Sequence, residues 1–188
     1  RVFIGGAAGR VDVTELVAIF SCYYDLYWVL DDEWQELLFR LGPEQFFGIG
    51  TARSLAFAHT RHFRGEWDQM RADAEIARVG FSEQLASLPN DPQLHILLGS
   101  ALAYLGRGDE AVAHGRWGLE HLRDDWDSKP YYQLQVVRIH LILGQLEPAL
   151  DLLEPLLEVP FYLSPGWLSI DPMFDPLRDH PRFKALVA

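Results

Sequence analysis

Seven histidines and a scatter of carboxylates are the groups in this 188-residue sequence with the capacity for chemistry. His59 and His62 have HxxH spacing, and His114 and His121 stand two turns apart on one helix face. A catalytic zinc site typically takes three protein ligands, including an acid, and keeps a position open for water. No glutamate of the HExxH type accompanies His59 and His62, so these imidazoles read as solvated or groove-lining. Asp124, Asp125 and Asp127 lack the DxDxDG loop and the distant bidentate glutamate of a calcium site, and read as a solvated interhelix turn. Glu33 and Glu36 sit on a helix rich in other charges, the setting of a wet face and not of an acid–base couple. Asp171, Asp175 and Asp179, each beside or near a proline, suit the capping of short helices.

The nucleophile and phosphate motifs are missing as well. There is no GxSxG elbow, and no strand–turn–helix context gathers the scattered Ser, His and Asp residues into a triad. Kinase chemistry needs a glycine-rich loop, a strand lysine and HRD and DFG motifs, and after Val17-Ala18-Ile19 the lysine position holds Phe20. The opening Val2 to Gly9 resembles a strand and nucleotide loop, but Ile4 occupies the first glycine position of GxGxxG, so a loosely packed leader is expected. Cys22 lies in an aromatic stretch with no cation near it in sequence, which predicts a buried inert thiol. No catalytic residue, metal or cofactor is expected.

Composition narrows the class. The chain is 49% hydrophobic and 23% charged, as for one globular domain or a short repeat array. A net charge of −11 repels a phosphate backbone and an anionic lipid surface alike, so neither nucleic acid nor membrane is an expected partner. The longest apolar run, Ile96 to Gly106, is too short to span a bilayer. A single cysteine forms no intrachain disulfide, which points to a reducing, cytoplasmic compartment. The sequence opens on Arg1 with no basic-then-apolar leader, which reads as a piece of a longer protein.

Punctuation along the chain supplies the organisation. Gly65, Gly106 and Gly144, 41 and 38 residues apart, each separate two helical stretches, as in FRGEWDQM, LGRGDEAV and LGQLEPAL. That period of helix, glycine turn and helix marks an α-solenoid, where no unit buries its apolar face until a neighbour stacks on it. In the middle unit Pro89-Asn90-Asp91-Pro92 breaks one helix and caps the next. Leu94, Leu97, Leu98, Ala101, Leu102 and Leu105 then recur at helical spacing, and a second helix is expected from about Asp109 to Leu122. Ala111 and Ala149 stand where paired helices would cross closely. Pro155 is expected to fall in mid-helix and kink it. Upstream, Leu16, Ile19, Phe20, Tyr23, Tyr27 and Leu30 form a helical stripe, and Asp31 to Leu41 make a short helix ended by Gly42-Pro43.

The stretches PNDPQLHILLGSALAYLGRGDEAV and HLILGQLEPALDLLEPLLEV resemble tetratricopeptide-type repeats. The closing YLSPGWLSIDPMFDPLRDHPRFKALV is similar to the segment that follows such repeats in large bacterial signalling proteins, where they lie downstream of a serine/threonine protein kinase, adenylate cyclase or winged-helix domain. His95, Leu102 and Gly115 replace the pattern's early Trp, its Tyr and its later aromatic residue. The resemblance implies an all-α, tetratricopeptide-like right-handed superhelix. It would have a leader and helical extension over residues 1–42, three helix pairs over 43–163 and a C-terminal cap over 164–188.

It also implies where a partner would sit. The family's groove positions, on the first helix of each pair, map onto Leu55, His59, His62 and Phe63, then Gln93, Ile96, Ser100 and Tyr104, then Tyr131, Leu134, Arg138 and Leu141. With few units, that concave side is equally open to filling by the chain's own aromatic stripe. Residues 51–80 form a slightly basic window, with Arg53, Arg61, Arg64, Arg71 and Arg78. An acidic or phosphorylated peptide would dock there, unless the arginines pair with Glu66, Asp68, Asp73 and Glu75. The expected role is a non-enzymatic scaffold for a protein or peptide partner. Two alternatives stand beside it: a small-ligand sensor lined by Tyr23, Tyr27, Trp67, Tyr104 and Tyr131, and a structural or homo-oligomeric spacer.

Overall fold

The computed structural model describes residues 12–22, 25–46, 49–123 and 128–188. The expected leader loop at Val2–Gly9, Tyr23 and the acidic turn at Asp124, Asp125 and Asp127 lie outside the described residues. Among those described, every regular element is a helix. Contacts divide the chain into two compact units, residues 1–80 and 81–188.

The first unit is built on α1 (Val13–Cys22), α2 (Asp32–Leu38) and α3 (Gly50–Arg64), with 3₁₀ turns at Tyr27–Val29 and Pro43–Phe46. The upstream stripe does not continue as one helix: α1 stops at Cys22 and Asp25 adopts φ 52°, a left-handed conformation that cannot propagate a right-handed helix. Asp31 then restarts the chain by accepting a hydrogen bond from Trp34 N at the head of α2. Val17, Ala18, Leu30, Leu38, Leu41, Phe46, Ala56 and Phe57 make one core, with Phe39 and Phe46 both meeting Phe57 edge to face. Helix α4 (Trp67–Ser87) carries the chain out of this unit, and its buried Met70, Asp73, Ala74 and Ala77 follow the helical period.

The second unit contains α5 (Pro92–Tyr104), α6 (Gly108–His121), α7 (Lys129–Ile142) and α8 (Leu146–Leu156), then α9 (Pro165–Ile170), a 3₁₀ segment Pro172–Leu177 and α10 (Pro181–Val187). Asp91 accepts from Gln93 N and Leu94 N at the head of α5, and Pro92 takes the first turn. Helix α5 packs on α6 and α7, α6 on α7, and α7 on α8. Ala111 and Ala149 are completely buried, and the 3₁₀ segment and α10 lie against α7 and α8. Pro155 lies inside α8 but next to its last residue and not in its middle, and the helix ends one residue beyond it.

Gly65, Gly106 and Gly144 share one geometry. Their φ values are 70°, 73° and 70°, and each donates its N–H to the carbonyl three residues back, while the next residue donates five back: Glu66 to Arg61 O, Arg107 to Leu102 O, Gln145 to His140 O. This pair of bonds satisfies the orphan carbonyls of the helix end, and the left-handed φ is open to glycine without a Cβ penalty.

Candidate functional site

The first-helix stripe is the site the repeat pattern nominates. Leu55, His59, Ile96, Ser100, Tyr104, Leu134, Arg138 and Leu141 are all buried within the chain, whereas His62, Phe63 and Tyr131 are half-buried and Gln93 is exposed. Eight of the twelve positions are therefore covered by the protein's own atoms. Local packing accounts for the first group: the Tyr27 ring stacks on His59 at 5.4 Å and leans on Phe63 at 5.3 Å, so part of the upstream aromatic stripe lies on the first helix. His62 meets Phe63 and Trp67 edge to face, and burial lowers its basicity. Of the rings expected around a ligand, Tyr27 and Tyr104 are buried, Tyr131 is half-buried and Trp67 is exposed.

The basic window is already occupied by internal partners. Arg61 pairs with Asp73, and Arg64 with Glu36 and Glu66. Arg71 and Arg78 pair with Asp68 and Glu75 one turn back. Arg53 donates to Leu41 O and lies 4.5 Å from the centre of the Phe57 ring, while Arg61 lies 4.7 Å from that of Phe39. Burial pushes the Asp73 carboxyl up, with the Arg61 guanidinium pulling the other way. The acidic tail residues divide by role. Asp171 is buried, caps Met173 N and accepts from Trp167 Nε1, whereas Asp175 and Asp179 pair with Arg178 and Lys184. Cys22 is half-buried, and burial followed by the nearby Asp25 charge pushes its thiol up to about 12, far from a reactive thiolate.

A different cluster emerges on α5 and α6. His114, Trp117 and His121 occupy one face of α6, and His95 comes to them from α5. His95 Nδ1 lies 2.8 Å from His114 Nδ1, and the His95 ring lies over Trp117 with centroids 4.0 Å apart. Trp117 stacks in turn on His121 at 3.9 Å and 12°. Each outer contact fixes a proton: His95 Nε2–H donates to Pro89 O at 3.1 Å, and His121 Nδ1–H donates to Trp117 O at 2.8 Å. Neutral His95 with its hydrogen on Nε2 leaves Nδ1 as an acceptor, so His114 donates from Nδ1. Burial lowers the basicity of His114, the neighbouring His95 lowers it further, and Glu110 opposes both.

The spacing of His114 and His121 is visible in the sequence, but the ring between them and the partner on the other helix are not. His95 stands on α5 and meets α6 only through the packing of the hairpin, which no local spacing records. Chemically, the cluster can hold and relay protons and can set a cationic imidazole on an indole face. Among the described residues no group of three or more His, Cys, Asp or Glu is placed to hold a metal ion, and no helix is long and apolar enough to cross a membrane. No family model, curated protein or solved structure matches the chain.

Proposed function

We propose that this chain is a non-enzymatic scaffold for protein–protein contact, a tetratricopeptide-like right-handed α–α superhelix from a bacterial signalling or regulatory protein. The observation that carries this reading is the triple recurrence of one helix–glycine–helix connector, with the same left-handed glycine and the same two backbone bonds at Gly65, Gly106 and Gly144. The packing of α5 on both α6 and α7, and of α6 on α7, supports it, because a stacked array brings each first helix against the next pair. With most of the first-helix stripe buried, the partner meets members that keep accessible surface, in the second unit Gln93 and the half-buried Tyr131.

A photo-crosslinking side chain placed at position 93 or 131 of the full chain tests this in the cells that make it. The expected result is one discrete protein adduct, competed away by the unmodified chain and absent when the probe stands at exposed Asp68 or Arg116. A metal-dependent hydrolase or phosphotransfer activity that disappears in His59→Ala or His62→Ala refutes the reading.

A further inference from the structure

We infer that the α5/α6 hairpin carries a proton-counting clasp: the His95–His114 couple keeps its contact with no added proton or with one, and loses it with two. The 2.8 Å separation of the two Nδ1 atoms leaves room for a single hydrogen between them. In the neutral couple that hydrogen belongs to His114, because Pro89 O holds the His95 hydrogen on Nε2. One added proton is accommodated without moving a ring. Both outer Nε2 atoms then carry hydrogens, and a single hydrogen still lies between the two Nδ1 atoms. A second proton places N–H groups on both facing nitrogens and leaves no lone pair between them, so the rings must part.

The position of the couple gives this titration a mechanical outlet. Gly106 closes one end of the hairpin, and His95 and His114 bridge the helices toward the other. His95 also lies on Trp117 and holds the Pro89 carbonyl, so parting the couple releases the turn before α5 and the indole face together. Asp91 in that turn is engaged by Gln93 N and Leu94 N, and His121 lies beyond Trp117. Helix α7, packed on both α5 and α6, carries Lys129, Tyr131, Tyr132, Arg138 and His140. The charges that act on His114 are those of His95, which disfavours its proton, and of Glu110, which favours it. The sign follows from linkage. Below the ordinary histidine value, near 6.5, the unfolded chain takes up both protons while the folded couple accepts one. The stabilisation is therefore complete above that value and is lost as pH falls through it toward the lowered value of His114.

The test is an imidazole ¹⁵N NMR titration of the full chain from pH 8 to 4.5, run beside thermal unfolding of the chain and of His114→Gln, whose amide still donates to His95 Nδ1 but does not titrate. At pH 8, His95 is expected as the Nε2–H tautomer and His114 as Nδ1–H, with the couple's two protonation steps at least one pH unit apart. With the first step at the unfolded histidine value, each unit by which the second lies below it weakens folding of the unsubstituted chain about tenfold relative to the variant, about 3–5 °C in midpoint for a chain of this length, as pH falls from 7 to 5. The other five histidines are common to both proteins and cancel in the comparison. Coincident steps, or a variant that loses as much stability in acid as the unsubstituted chain, overturn the inference. If His114→Gln does not fold, His95→Gln serves in the comparison, and the NMR titration of the unsubstituted chain decides regardless.

Discussion

The two helix hairpins of the second unit share a connector and differ in how their helices meet. In α7/α8 the second helix buries bulk: Ala149, Leu150, Leu153 and Leu156 of α8 are covered where it packs on α7. In α5/α6 the contact is made by backbone. A Cβ at Gly118 would collide with the Ile96 side chain and stand 2.7 Å from the Pro92 carbonyl oxygen, and one at Gly99 would stand 2.9 Å from Ala111 O. One pair is filled by bulk and the other is closed by its absence. The same glycine turn thus tolerates both crossings, because it fixes how a helix ends and leaves open how near the next helix comes.

Truncation should hurt the first pair most. Leu153 has no exposed surface, and Leu153→Ala removes three carbons from a site with little room to collapse. A loss of about 2–5 kcal/mol in urea unfolding is expected. Enlargement should hurt the second pair: Gly118→Ala forces the α5 backbone outward, with an expected cost of about 1–3 kcal/mol. Gly115→Ala should cost less, since the nearest atoms to its Cβ would be Ile139 and Val136 side-chain carbons at 3.2 Å or more. If Gly118→Ala proves as mild as Gly115→Ala, the backbone contact is not what sets the α5/α6 spacing. The smallest effect, and the one that should be equal in both pairs, comes at the turns. Gly106→Ala and Gly144→Ala each place a Cβ on a left-handed residue in open space, at about 1–2 kcal/mol, read as matched shifts in urea midpoint.

The connectors were legible in the sequence because their chemistry is local. A glycine at a helix end, an aspartate followed by proline, and a small residue a few positions into the second helix each say what they need within four or five residues. The first-helix stripe was legible as a stripe and no further. Periodicity places Leu55 and His59 on one face, but whether that face meets solvent depends on Tyr27, some thirty residues away. Asp25 shows the converse case: a hydrophobic stripe runs through a residue whose backbone leaves the helix, and apolar spacing carries no record of φ. The His95–His114 couple depends on the register of one helix against another, which is set by Gly99, Gly115 and Gly118, residues that periodicity treats as blanks.

Arg182 grips Glu147, Asp151 and Glu154, three carboxylates spaced one turn apart along α8, while its neighbour Phe183 is buried facing Phe174. Those acids repel one another when nothing lies over them, so α8 presents a strip that invites a cation. It receives a two-pronged plug: a planar guanidinium wide enough to reach all three carboxylates, and beside it a phenyl ring that packs on Phe174. Lysine at position 182 would bring the charge without the span, leaving three carboxylates to compete for one ammonium.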